Sequence, residues 1–227
     1  MDIHEDQVIS LMEHKCTQTP PGGFSSVSTK NYDVYTNPKI ESVKSTVSTG
    51  PPIFVCNLND PANLGSIYRL MGCFNMNRLN HVYTSIGRKQ KVRAPPKWDD
   101  EFRKKRIEET ASGCEKHVTR RLIEMKSYID YLNKANGERL PVVAIETATS
   151  AVSLNTFKFP ECCAILLGSE GRGIDPAIVK ALRPGYDVFV IIPMIGPHKS
   201  MNVATALGVG LYEYRRQWPE GMAFTAN

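Results

Sequence analysis

The stretch that most constrains this chain is residues 191–203, IIPMIGPHKSMNV. A β-branched run closed by Pro193 reads as a buried strand ending at its carboxyl edge. Gly196 and Pro197 then mark a loop, and Ser200 and Asn202 stand where helix N-caps stand. The following pattern places Val203, Ala206, Leu207, Gly210, Leu211 and Tyr214 on one helical face, and Pro219 ends it. A helix N-terminus at the carboxyl end of a strand is where open α/β sheets hold ligands.

Two earlier stretches repeat the form. Residues 53–58, IFVCNL, run through Asn59, Asp60 and Pro61 into a helical pattern over residues 66–76. Residues 162–167, CCAILL, run into GSEGRG, after which Asp175 and Pro176 open another helix. Residues 79–86 and 142–145 read as further strands, so the alternation predicts a mostly parallel sheet covered on both faces. Residues 115–134 read as an amphipathic helix, with Val118, Leu122, Met125, Ile129 and Leu132 at spacings of three and four and Asn136-Gly137 as its C-cap.

Taken together and in order, the three motifs resemble the SpoU/TrmH family of RNA ribose 2'-O-methyltransferases, within the SPOUT superfamily. The pattern N-x-G-x-x-x-R is met by Asn63, Gly65 and Arg69. G-x-E-G-x-G is met by Gly168, Glu170, Gly171 and Gly173. I-P-M…S-x-N-V is met by Ile192, Pro193, Met194, Ser200, Asn202 and Val203, with Met201 where leucine is usual. The resemblance covers roughly residues 53–217, and the tRNA guanosine branch is the most similar, through IIPMIG and the closing Leu211-Tyr212-Glu213.

The resemblance implies an α/β-knot domain whose C-terminal segment is threaded as a trefoil knot, and a homodimer. The small-residue face of the 203–214 helix is its candidate interface. It implies S-adenosylmethionine as cofactor, held by backbone groups of Ile145, Gly168, Ile192 and Met201, with no metal. It also implies methyl transfer to a ribose 2'-hydroxyl in RNA, with tRNA expected. An rRNA target, or a non-catalytic SPOUT-fold RNA-binding protein, is the alternative. The catalytic candidates carried over are Asn63, Arg69, Glu170, Ser200 and Asn202.

Other readings of the same residues are weaker. The glycine order G-x-x-G-x-G differs from that of a dinucleotide-binding turn, and no G-x-S-x-G surrounds Ser200. His4, His14 and Cys16 lack metal-ligand spacing.

The 227 residues suffice for one full α/β domain (51–227) plus a flexible polar N-terminal extension (1–50), expected to be extended or disordered. Apolar and charged fractions of 41% and 22% are those of an ordinary globular chain, and the net charge of +5 permits a polyanionic partner. The most basic part is an insertion near residues 87–107. It holds Arg88, Lys89, Lys91, Arg93, Lys97, Arg103, Lys104, Lys105 and Arg106, interleaved with Trp98 and Phe102. Lys and Arg neutralise phosphates and aromatic rings stack on unpaired bases, so Arg88, Lys89, Lys91, Arg93, Lys104, Lys105 and Arg106 are the RNA-binding candidates. No apolar run approaches membrane-span length, no signal or transit peptide is evident, and the cysteines read as reduced thiols. An intracellular, cytoplasmic protein is the expectation.

Overall fold

A computed structural model of the chain describes residues 26–29, 32–35, 50–84, 98, 100–135 and 139–219. By its contacts the chain divides into a unit Met1–Ser45 and a unit Thr46–Asn227. In the first, β1 (Ser26–Thr29) and β2 (Tyr32–Tyr35) pair antiparallel. His4, His14 and Cys16 lie outside the described residues.

The second unit is built on seven strands: β3 (Ile53–Cys56), β4 (Arg78–Tyr83), β5 (Thr119–Glu124), β6 (Val142–Ile145), β7 (Val152–Ser153), β8 (Ala164–Leu167) and β9 (Val188–Ile191). They lie in the order β5-β4-β3-β8-β6-β9-β7 and every pairing is parallel. The last strand is thus inserted between two earlier ones.

A parallel sheet needs crossover helices, and these cover both faces. Helices α1 (Pro61–Cys73), α2 (Glu101–Ala111) and α5 (Val203–Gln217) share one core layer with Ile53, Val55, Leu79, Val143, Ile165 and Leu167. Helices α3 (Met125–Leu132) and α4 (Pro176–Ala181) share the other with Phe54, Cys56, Val82, Ala144 and Leu166. Alternate residues of one strand feed alternate layers, which is why these strands are apolar runs rather than alternating ones.

Two expectations fail for physical reasons. The continuous helix over 115–134 is instead a 3-10 turn (Cys114–His117), then β5, then α3. β5 is an edge strand, so much of its surface meets solvent and Leu122 is 43% exposed. Its apolar spacing matched a helical period only because a strand and a helix abut at Met125. Asn136-Gly137 falls outside the described residues, and α3 ends at Leu132 with Asn133 as its cap. The α5 face offered as a dimer interface is used inside the chain. Leu207, Leu211 and Tyr214 are wholly buried, and a Cβ on Gly210 would lie 2.4 Å from Ile145 Cδ1.

At the opposite end of β6 from its carboxyl edge sits a buried ion pair. Arg139 donates from Nη1 and Nη2 to both oxygens of Asp187 (2.7 and 2.6 Å). Asp187 also accepts from the backbone N–H of Val142 (2.9 Å) and of Arg183 (2.8 Å). Burial opposes ionisation, but the bonds from Arg139, Arg183 and Val142 outweigh it and hold the carboxyl below its usual range. Asp187→Ala strands the guanidinium and is expected to cost about 3–5 kcal/mol in urea unfolding. A depressed folded value gives stability that is full above the unfolded carboxylate value of about 3.9 and lost as pH falls through the folded one. The variant should therefore lose this part of the acid limb of the stability curve.

Candidate active site

Because all seven strands are parallel, the loops after β3, β6, β8 and β9 leave on one rim of the sheet. Asp60 caps α1 there, its Oδ1 accepting from the N–H of Ala62 (2.7 Å) and Asn63 (3.4 Å), and Pro61 fills the first helical position. The helix starts five residues earlier than its apolar pattern, which puts Asn63 in its first turn. Asn202 caps α5, with Oδ1 accepting from Ala204 (3.0 Å) and Thr205 (3.2 Å).

These two caps meet across the chain. Asn202 Nδ2 donates to Asn63 Oδ1 (2.9 Å), and Asn63 Nδ2 donates to Glu170 Oε1 (2.9 Å). One residue from each of the three motifs is thereby joined in a single hydrogen-bonded line with Asn63 at its centre, although Asn63 lies 107 residues from Glu170 and 139 from Asn202 in sequence. Asn202 and Glu170 are exposed and Asn63 half-buried, so the line lies open on the rim.

The other candidates fall around it. Ile145, the last residue of β6, is flanked by Leu167 of β8 and Val190 of β9. Gly168 and Ile192 therefore leave adjacent strands beside it, and three of the four cofactor-binding candidates form one group. Met201 is 36% exposed on the loop before α5, and Ile195 on that loop is fully exposed. Arg69 is exposed on α1, six residues past Asn63, which is about 9 Å along the axis and roughly 120° around it. Among the described residues it makes no hydrogen bond or ion pair, and it is not part of the line. Ser200 is exposed, two residues before the α5 cap. Lys104, Lys105 and Arg106 are exposed on α2, while Arg88, Lys89, Lys91 and Arg93 fall outside the described residues. Trp98 departs from expectation. It is 3% exposed, so its ring is core rather than a surface for bases.

One residue that shapes the rim lies outside the three motifs. Glu146 follows Ile145, and its Oε2 accepts from the N–H of Ile174 (3.1 Å) while Oε1 accepts from the N–H and hydroxyl of Thr147 (2.9 and 3.1 Å). It thereby braces the end of the Gly168–Gly173 turn, whose Ser169 and Gly173 exchange backbone bonds (3.0 and 3.1 Å). Gly173 holds φ +64°, and a Cβ there would meet Glu146 Oε2 at 2.5 Å. The brace fixes the turn that presents Glu170 to Asn63.

The buried thiols are not nucleophiles. Burial, then the nearby Asp175 charge, raises Cys56, and burial followed by Cys162 pushes Cys163 up to about 12. Among the described residues no group of three or more His, Cys, Asp or Glu could hold a metal. What the rim offers is exposed amide and carboxylate groups above an apolar floor, which suits positioning a substrate more than generating a nucleophile.

Gly168 has no room for a side chain. A Cβ there would lie 2.1 Å from the Gly173 carbonyl carbon and 2.4 Å from the Ile174 nitrogen, both backbone atoms. Gly171, in the same turn, faces open space. Gly168→Ala should therefore lower the melting temperature by an amount equivalent to about 1–3 kcal/mol, whereas Gly171→Ala should leave it within about 0.5 kcal/mol. Equal melting of the two variants would remove the close approach of Gly168 to Gly173 and Ile174 as a constraint.

The model of the SpoU rRNA Methylase family matches residues 52–212. The chain is 24% identical over 170 residues to a tRNA (guanosine(18)-2'-O)-methyltransferase of Aquifex aeolicus, covering 74% of this chain and 70% of that one. It is 32% identical over 104 residues to mouse tRNA (guanosine(18)-2'-O)-methyltransferase TARBP1, covering 45% of this chain but only 6% of that protein. Against the Escherichia coli tRNA (cytidine(34)-2'-O)-methyltransferase identity is 29% over 159 residues, 69% of this chain and 87% of that one. In fold it resembles the A. aeolicus TrmH/SpoU tRNA modifying enzyme (TM-score 0.58, 22% identity, 76% and 77% of the two chains). It also resembles the AdoMet-bound rRNA methyltransferase of Sinorhizobium meliloti (TM-score 0.58, 18% identity, 74% and 57%). A match over residues 52–212, on a seven-stranded parallel sheet that brings the three motifs to one rim, makes this chain a member of the SpoU methylase family.

Proposed function

We propose that this protein transfers a methyl group from S-adenosylmethionine to a ribose 2'-hydroxyl of RNA, with a tRNA guanosine as the favoured target. The observation that carries the reading is the Asn202–Asn63–Glu170 line, which ties all three family motifs into one exposed polar site. The names of the tRNA-modifying relatives support tRNA, and the rRNA wording of the family model supports rRNA as the second reading. Mapping 2'-O-methyl groups in total RNA with and without the protein separates them. The working unit is residues 51–227 with the first 50 as an extension, and the insertion of β9 between β6 and β7 supports a threaded, knotted C-terminal arm. A homodimer and action inside the cell, where the RNA is, complete the proposal. Among the described residues no helix is long and apolar enough to cross a membrane.

The residues present fit the cofactor. The convergent strand ends at Ile145, Gly168 and Ile192 offer backbone groups beside apolar side chains, and exposed Met201 and Ile195 can close over a flat ring. When bound, S-adenosylmethionine supplies an electrophilic methyl on a positively charged sulfur. The chain must supply alignment and a dry setting, because attack by a hydroxyl on its way to alkoxide disperses charge. Asn63 and Asn202 orient the ribose, and Glu170 holds Asn63 in register. Arg69, exposed and without a hydrogen bond or ion pair among the described residues, grips the adjoining phosphate, and Ser200 bonds the same phosphate. A guanidinium keeps its proton in proteins, so Arg69 orients the hydroxyl, and the phosphate it holds takes the proton.

S-adenosylmethionine should bind without added metal, and calorimetry that detects NAD binding instead would overturn the reading. Arg69→Ala should abolish single-turnover methyl transfer while leaving cofactor affinity within about twofold, since the partner of Arg69 is RNA. Arg69→Lys keeps charge but loses the two-pronged grip. It should recover little activity, with no rise toward lysine's ordinary value of about 10.4. A rate that climbs with pH in this variant would assign Arg69 to proton abstraction.

Replacing Lys104, Lys105 and Arg106 together with alanine should weaken RNA binding and flatten the slope of log affinity against log salt, because fewer counterions are released. An unchanged slope returns these residues to an ordinary solvated surface.

A further inference from the structure

α1 and α2 lie side by side with their N-termini on the same rim. Arg103 Nη1 donates to the Asn59 carbonyl (3.1 Å). Further along, a Cβ on Gly65 would lie 1.9 Å from Thr110 Oγ1 and 2.5 Å from the Ile107 carbonyl oxygen. One on Gly72 would lie 2.7 Å from Cys114 Sγ. These contacts advance along both segments together, so the helices run parallel. The first turn of α2 therefore stands level with the loop that leads into Asn63.

That first turn is held rigidly. Asp100 caps it, its Oδ1 accepting from the Arg103 N–H (2.9 Å), and its carboxylate pairs with Arg103 Nε (3.2 Å). The guanidinium groups of Arg103 and Arg120 sit 5.4 and 5.9 Å from the centre of the buried Trp98 ring, which in turn packs 5.6 Å from the buried His81 ring. Trp98 is thus a plate that pins α2 to the sheet. The residue beside Arg103, Phe102, is 77% exposed. Lys105 and Arg106 follow it by three and four residues, so they share its face one turn on. Among the described residues the Arg106 side chain is held by an exposed pair with Glu109 (3.2 Å), which a phosphate can displace. Ile107 and Ala111 seal the opposite face of the helix into the core.

An exposed aromatic ring on a rigid turn, flanked by cations and placed beside the site, matches an unpaired nucleotide. A base hidden in a duplex offers no face to stack on, and duplex RNA is read through phosphates and 2'-hydroxyls instead. We propose that Phe102 is a substrate-positioning residue that stacks on an unpaired base next to the target ribose, with Lys105 and Arg106 holding the adjoining phosphates. The substrate is then single-stranded or extruded RNA. This rests on the RNA-methylation reading above.

The test uses the full chain, an unstructured single-stranded oligoribonucleotide, and a duplex of equal length. Phe102→Ala and Phe102→Leu should each weaken single-strand binding about tenfold, within the range measured for loss of one base stack. Phe102→Tyr should bind as wild type does. The salt slope should be the same in all three, since no charge is removed, and S-adenosylmethionine affinity should not change. Wild-type single-strand affinity in Phe102→Ala, full rescue by leucine, or an equal loss on duplex would overturn the stacking. A change in self-association with RNA affinity intact would overturn it too, by assigning the ring to a second copy of the chain. The two proposals fail separately. A wild type that does not bind S-adenosylmethionine sinks methyl transfer, whereas a wild type that methylates RNA but is indifferent to Phe102→Ala sinks only the stacking.

Discussion

A sheet in which every strand runs the same way, buried on both faces, has nowhere to do polar chemistry except at its rims. Here that constraint governs the whole second unit. The strands from β3 to β9 are filled by Ile53, Val55, Val143, Ile165 and Leu167 on one side and Phe54, Cys56, Ala144 and Leu166 on the other. Their carboxyl ends all point to one rim, so loops far apart in sequence arrive there together. The hydrogen bonds from Asn202 to Asn63 and from Asn63 to Glu170 follow from this arrangement. Parallel topology brings the loops near one another, and the two helix caps turn nearness into contact.

The rim is kept in shape by backbone crowding as much as by bonds. Gly168 passes so close to Gly173 that no side chain fits, and Glu146 ties the N–H of Ile174 back toward β6. Although Gly171 of the same motif faces open space, Gly168 and Gly173 are thus structural before they are functional. Gly65 is of the same kind, since its missing Cβ is what lets α1 lie against Ile107 and Thr110 of α2. The spacing of Asn63 and Gly65 thus joins the centre of the hydrogen-bonded line to the contact that positions its helix.

Opposite the rim, the Arg139–Asp187 pair closes the amino end of β6. The pair is tied further into the backbone, with Arg139 Nε donating to the Leu132 carbonyl (3.0 Å), Nη1 to the Leu140 carbonyl (3.0 Å) and Tyr186 donating to the Arg139 carbonyl. Burial makes the pair costly to break, and it holds α3, β6 and the segment before β9 in mutual register. Stability is concentrated at one end of the sheet and exposed polar groups at the other.

Much of this was legible in the sequence. Apolar runs marked β3, β6, β8 and β9, the last two closed by Gly168 and Pro193, and the small-residue pattern before Pro219 marked α5. These are local signals, because a strand buried on both faces must be apolar throughout and a helix must be capped. The motif residues Asn63, Glu170 and Asn202 were legible as a set, but their direct contact was not, since no local rule relates positions 107 and 139 residues apart. Tertiary structure alone decided four further matters. It split residues 115–134 between an edge strand and a helix, whose joined periods imitate one helix. It buried Trp98 and exposed Phe102, which composition treats alike. It turned the small-residue face of α5 inward, against Ile145. It also made Glu146 a brace, because what a carboxylate does depends on which backbone amide the fold brings to it.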